Sequence, residues 1–112
     1  MILVTGGAGF IGSVLVGELN NQGREDIIIV DRLGDSLKWK NIRNLKYADY
    51  IHADELFLPE CADLLEQVTF IFHLGACSST TEMDMDYLMK NNVLYSKNLY
   101  EIAYDMEIPF IY

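Results

Sequence analysis

The residues best able to do chemistry are three glycines and a carboxylate: Gly6, Gly9 and Gly12, within Val4-Thr5-Gly6-Gly7-Ala8-Gly9-Phe10-Ile11-Gly12, and Asp31, nineteen positions after Gly12. The same stretch also reads as Gly7-x-Gly9-x-x-Gly12. At a strand-to-helix junction, glycines so spaced let the chain turn sharply, let backbone approach a pyrophosphate, and let helix and strand pack closely. A diphosphate would lie on the helix N-terminus, where unbonded N–H groups and the positive end of the helix dipole contribute about 0.3 to 1 kcal/mol. A carboxylate closing the next strand is placed to accept hydrogen bonds from ribose hydroxyls. The absence of Gly-Lys-Ser/Thr excludes a Walker-type loop. A glycine turn followed by a helix also opens methyltransferase domains or serves structure alone, so the flanking elements have to decide.

Those elements alternate. Residues 1–4 form a short run suited to a strand buried on both faces, and residues 10–22 carry Val14, Leu15, Val16 and Leu19 at helical spacing before the stop signal Asn20-Asn21-Gln22-Gly23. Ile27-Ile28-Ile29-Val30 is a continuous β-branched run, as expected of a central parallel strand, and ends at Asp31. Residues 38–45 suit a helical turn or two and residues 49–51 a short strand. Asp54 is a candidate N-cap for apolar residues 54–68, with the regular helix expected after Pro59. Residues 69–74 read as a strand, 75–81 as a small polar loop at its carboxyl end, 83–105 as a long helix and 108–112 as a last strand. In that helix Tyr87, Leu88, Val93, Leu94, Leu99, Ile102 and Ala103 are the candidates to pack on the sheet. With right-handed crossovers this is an α/β, Rossmann-type doubly wound parallel sheet of about five strands, ordered 3-2-1-4-5.

The 112 residues, 51% of them hydrophobic, suffice for one modest core, so residues 1–112 are expected to be one dinucleotide-binding domain. A net charge of −9, with only eight scattered Lys and Arg, argues against nucleic acid. No apolar run approaches the roughly eighteen residues a membrane span needs, and no charged leader precedes the first strand, so the expectation is a cytoplasmic protein acting on small molecules. Cys61 and Cys77 have no metal-ligand spacing and are expected to be free thiols; no metal is expected. His73 at a strand end is expected to be packed rather than catalytic.

The opening turn resembles that of the extended short-chain dehydrogenase/reductase superfamily of nucleotide-sugar epimerases. The closer resemblance is to the ADP-L-glycero-D-manno-heptose 6-epimerase family. It rests on residues 4–13, on Ala48-Asp49-Tyr50, on Phe72-His73-x-Gly75-Ala76-Cys77-Ser78-Ser79-Thr80-Thr81-Glu82, on Asn91-Asn92, on Tyr95-Ser96-Lys97, and on Glu107-Ile108-Pro109-Phe110. The resemblance implies an isomerase of lipopolysaccharide core synthesis that inverts carbon six of an ADP-sugar by transient oxidation and re-reduction, with NADP as reversible hydride acceptor. It further implies that Phe10, Ile11, Asp31, Arg32, Lys38, Leu74, Gly75, Ala76, Cys77, Ser78 and Asn91 line the cofactor. Leu74 stands where the family often has glutamate, and Ala53 where a lysine near the adenosine phosphate is common. Arg32 and Lys38 set against Asp31 favour NADP, with NAD possible.

The Tyr-x-x-x-Lys pair such epimerases use is missing: Tyr47, Tyr50, Tyr87, Tyr95, Tyr100 and Tyr104 are each followed at the fourth position by a residue other than lysine. The chain is therefore expected to be the N-terminal part of a longer protein, to bind cofactor without turnover, and to hold no catalytic residue itself. A strand edge left open after the fifth strand is expected to favour self-association into a homo-oligomer. The competing reading is a non-catalytic NAD(P)-binding redox-sensing module, which would equally lack the pair.

Overall fold

The β-branched and aromatic runs form the sheet. In the computed structural model, which describes residues 1–34, 37–75 and 93–111, strands β1 (Ile2–Thr5), β2 (Ile27–Asp31), β3 (Asp49–His52), β4 (Phe70–His73) and β5 (Phe110–Ile111) make one five-stranded sheet. Its order is β3-β2-β1-β4-β5, and every pairing is parallel. Every residue of β1 and β2 is buried, as expected for strands covered on both faces.

Alternation along the strands divides the core in two. Ile2, Val4, Ile27 and Ile29 pack with Val16 of helix α1 (Phe10–Asn21) and Ile42 of the short helix α2 (Trp39–Ile42). Leu3, Ile28, Val30, Ile51 and Ile71 face the other way, onto Tyr95, Leu99 and Ala103 of helix α4 (Tyr95–Asp105). The period of two along each strand sends neighbouring residues to different helices. Parallel register then aligns the carboxyl ends: Thr5 lies beside both Val30 and His73, and Asp31 beside His52.

Several local expectations are corrected. Asp54 does not cap a long helix. His52 caps a 3-10 turn at Ala53–Glu55, a second such turn occupies Pro59–Cys61, and only Ala62–Glu66 (α3) is regular helix. Pro59 lacks the N–H a continuous helix would need and sits at the start of its own turn. Val93 and Leu94 are exposed rather than packed on the sheet, where Leu99 and Ala103 of the same expected helix are buried, and Val14 and Leu58 are exposed too. The start of the 83–105 helix lies outside the described residues. Helix α1 ends as expected, with Gly23 at φ 87 and its N–H donating to the Asn20 carbonyl at 2.9 Å.

Among the glycines, Gly12 leaves the least room for a Cβ. A Cβ there would sit 2.1 Å from the Gly6 carbonyl oxygen and 2.9 Å from the Gly7 Cα, so α1 lies directly on the turn. Strand packing falls instead to Gly7, whose Cβ would meet the Ile29 side chain at 2.9 Å. Gly12 is thus a helix-to-turn contact and Gly7 a turn-to-strand contact, whereas the spacing had assigned strand packing to Gly12. Gly12→Ala must displace backbone and is expected to cost about 3 kcal/mol. Gly23→Ala, strained in φ but with nothing within 4 Å, is expected to cost about 1 kcal/mol. Urea unfolding of the two variants checks the ranking; equal losses would mean that the Gly12 contact does not limit packing.

Candidate functional site

The carboxyl ends of β1, β2 and β4 meet at the glycine turn. Gly6 has φ 69, in the region that favours glycine, and its N–H donates to the Val30 carbonyl at 2.7 Å, tying the turn to β2. Its carbonyl accepts from Gly9 N–H at 3.0 Å, closing the turn. A Cβ at Gly6 would strike the Leu74 carbonyl carbon at 2.8 Å and Gly75 at 2.9 Å, so the chain leaving β4 lies against the turn.

Helix α1 starts from Gly9, which supplies no side-chain cap. The N–H groups of its first turn, on Phe10 and Ile11, have no acceptor within the helix, and the backbone hydrogen bonds of the described residues supply none. Phe10 and Ile11 are 82% and 70% exposed, among the most exposed large apolar residues described. Unbonded donors, the helix dipole and an apolar rim thus face solvent together, an arrangement able to take an anion joined to a flat apolar group.

Asp31 stands beside this helix end. Only 7% exposed, it is held at both oxygens: Oδ2 accepts from Ala8 N–H at 2.9 Å, and Oδ1 accepts from Arg32 N–H at 2.7 Å and from Lys38 Nζ at 3.0 Å. Ala8 is itself fixed, since Asn41 Nδ2 donates to its carbonyl at 2.8 Å. Tyr50 donates its hydroxyl to the Asp31 carbonyl at 2.8 Å. A carboxylate has about four acceptor positions, so Asp31 can accept one further donor. The Arg32 side chain points elsewhere: Nη1 pairs with Asp54 Oδ1 at 2.6 Å on the turn after β3.

On the opposite face, register places Thr5 next to His73, and Thr5 Oγ1 lies 2.5 Å from His73 Nδ1. The hydroxyl also accepts from Gly75 N–H at 3.0 Å, so one oxygen joins the end of β1 to the imidazole and to the chain leaving β4. The other ring nitrogen, Nε2, shares a hydrogen bond with Ser96 Oγ of α4 at 2.7 Å. Burial lowers the His73 pKa, in keeping with a neutral ring donating at one nitrogen and accepting at the other. His73 is packed, as expected, and it latches β1 to α4. Nearby, the Tyr95 hydroxyl is buried with no hydrogen-bond partner, and burial pushes its pKa far above the usual phenol value.

Of the residues singled out from sequence, Gly6, Gly9, Phe10, Ile11, Gly12, Asp31, Arg32, Lys38, Leu74 and Gly75 converge on this edge; Ala76, Cys77, Ser78 and Asn91 lie outside the described residues. Reasoning from spacing assigned no site role to Thr5, Asn41, Tyr50 or Asp54. Thr5 was quoted only as part of the turn, although a hydroxyl at a central strand's end is a polar group needing partners. For Asp54 the only signal was an acid just past a strand.

The profile described as "NAD dependent epimerase/dehydratase family" matches residues 2–112. The ADP-L-glycero-D-manno-heptose-6-epimerase of Nitratidesulfovibrio vulgaris is 49% identical over 112 residues, covering 99% of this chain and 35% of that protein. Among solved structures, the Helicobacter pylori ADP-L-glycero-D-manno-heptose-6-epimerase superposes with a TM-score of 0.80 at 33% identity, over 99% of this chain and 37% of that one. The Bacillus cereus UDP-glucuronic acid 4-epimerase in complex with NAD gives 0.79 at 28% identity, over 97% and 38%. The chain therefore spans about a third of the length of the relatives it matches.

The buried imidazole makes a prediction about pH. Free of the fold, His73 protonates near its ordinary value of 6.5; folded, it resists until lower pH. Below 6.5 the unfolded chain therefore binds more protons at this site, and stability falls with pH by up to about 1.4 kcal/mol per unit until the folded pKa is passed. His73→Gln removes this contribution. The stability lead of the native protein over the variant should shrink between pH 7.5 and 5.5 in denaturant unfolding; a lead that stays constant would show that burial does not suppress His73 protonation.

Proposed function

This chain belongs to the NAD dependent epimerase/dehydratase family, and on that premise we propose that residues 1–112 are the cofactor-binding part of a longer nucleotide-sugar epimerase. The substrate proposed for the whole protein is an ADP-linked heptose, inverted at carbon six, as in lipopolysaccharide core synthesis. The relatives named as ADP-L-glycero-D-manno-heptose-6-epimerases, about half identical along this chain, support that reading. The observation that carries it is Asp31: a buried carboxylate clamped by the N–H of Ala8 within the glycine turn, beside the unbonded N–H groups that open α1.

The residues fit a nicotinamide dinucleotide. A pyrophosphate would be taken by the N–H groups of Phe10 and Ile11, which glycines at 6, 9 and 12 leave open to approach. Asp31 would accept from a ribose hydroxyl, and Arg32 and Lys38 would answer a 2′-phosphate. Leu74 and Gly75, pressed against Gly6, would form the wall nearer the reacting end, and the family resemblance adds Ala76, Cys77, Ser78 and Asn91 to the cofactor contacts. The bound nicotinamide supplies reversible hydride acceptance. What this chain contributes is binding and orientation, because it contains no Tyr-x-x-x-Lys pair to move the hydroxyl proton. NADP is the cofactor proposed, with NAD close behind.

Incubation of the complete protein with NADP and an ADP-heptose, followed by NMR, should show inversion at carbon six with no net accumulation of reduced cofactor. Tight dinucleotide binding without conversion of any sugar nucleotide would favour a redox sensor instead. Cofactor choice has its own check. Arg32→Ala should weaken NADP about tenfold or more, as expected for loss of a charge-assisted hydrogen bond of about 1.5 to 3 kcal/mol, and leave NAD nearly unchanged. Titrations of both cofactors decide this, and equal losses would remove Arg32 from the phosphate site.

A further inference from the structure

We propose that Asp54 is a specificity-determining residue, competing with a cofactor's 2′-phosphate for the Arg32 guanidinium and so narrowing any preference for NADP over NAD. The inference rests on the dinucleotide reading above and adds a residue that neither the glycine pattern nor the strand-end acid predicted.

The sheet brings the two side chains together. Asp31 is in register with His52, so β2 and β3 end side by side, and the residues just beyond them, Arg32 and Asp54, meet at 2.6 Å. Asp54 is not on a loose loop. His52 Nδ1 accepts its backbone N–H at 3.1 Å, and buried Ala53 and Leu56 anchor the turn on either side of it. The carboxylate is thus presented to Arg32 by a built turn. The pair is accessible, with side chains 26% and 53% exposed for Arg32 and Asp54, so a phosphate can reach it from solvent.

Among the described residues Arg32 and Lys38 each already have a carboxylate partner. Lys38 is paired with Asp31 and Arg32 with Asp54, two cations against two anions. A guanidinium presents a planar fork that pairs with a carboxylate or with a phosphate. A 2′-phosphate, at close to two negative charges, must displace the Asp54 carboxylate from that fork or bind with an uncompensated anion alongside. A 2′-hydroxyl meets neither obstacle, since its acceptor would be Asp31, a separate carboxylate held from Ala8 and Lys38. Asp54 therefore acts on NADP and spares NAD.

Asp54→Asn keeps the side-chain shape and the backbone N–H that His52 accepts while removing the charge. NADP and NAD are titrated, at one fixed low ionic strength, against the complete native protein, Asp54→Asn, Arg32→Ala and the double variant. Asp54→Asn should bind NADP about fivefold more tightly and NAD within twofold of native, the retained NAD affinity serving as the check that the variant is folded. In the Arg32→Ala background the gain should largely vanish. An equal change for both cofactors, or a gain that persists undiminished without Arg32, overturns the competition. Failure of native and variants alike to bind either dinucleotide would instead remove the cofactor reading on which it rests.

Discussion

A single hydrogen at position 12 sets how closely the first helix can sit on the turn before it, because a carbon there would lie 2.1 Å from the Gly6 carbonyl oxygen. Much of the carboxyl edge follows from that contact. With α1 pressed against the turn, its unbonded N–H groups stand next to the segment where Ala8 donates to Asp31. The turn is in turn bonded to β2 through Gly6 and Val30, one residue before Asp31. An anion seat and a carboxylate are thereby fixed relative to one another by a few backbone atoms. Such an arrangement suits a ligand carrying diphosphate and ribose at a set separation.

Electrostatics refine that frame. Counting from sequence sets Arg32 and Lys38 against Asp31 and leaves an excess of positive charge for a phosphate. Folding brings Asp54 onto Arg32, a second carboxylate among the described residues. The Arg32–Asp54 pair is partly exposed and weak, of the order of 0.2 to 1 kcal/mol as a contribution to stability. Its larger effect is on the ligand, since a phosphate must compete for a cation that already has a partner.

The opposite face of the same strands is spent on holding the fold. Thr5, between β2 and β4, accepts from the Gly75 N–H and reaches His73, which passes the connection to Ser96 on α4. This buried polar chain ties the exit of β4 to the end of β1, on the other side of which Gly6 presses against Leu74 and Gly75. Position along the strand sends Thr5 to the structural side, while the backbone of the next residue, Gly6, shapes the site. Tyr95, its hydroxyl buried without a partner, is the one buried side-chain polar atom left unsatisfied among the described residues.

Much of this was legible in the residues themselves. The β-branched run at 27–30 demands a strand buried on both faces, Gly23 demands a helix end, and the alternation of strand and helix with right-handed crossovers leaves little choice but the order 3-2-1-4-5. The glycine spacing and Asp31 marked the site because their constraints are local: a positive φ, a close approach, an acid at a strand end. What sequence could not decide involves residues far apart in the chain. Gly7 rather than Gly12 meets β2 because side-chain direction depends on the turn's full geometry. Regular helix does follow Pro59, but only over Ala62–Glu66, and His52 rather than Asp54 provides the cap upstream, at a 3-10 turn, because its ring nitrogen reaches the Asp54 N–H. Asp54 reached Arg32, and Thr5 reached His73, only when parallel register set their strand ends side by side, a relation between positions 22 and 68 residues apart that no local pattern records.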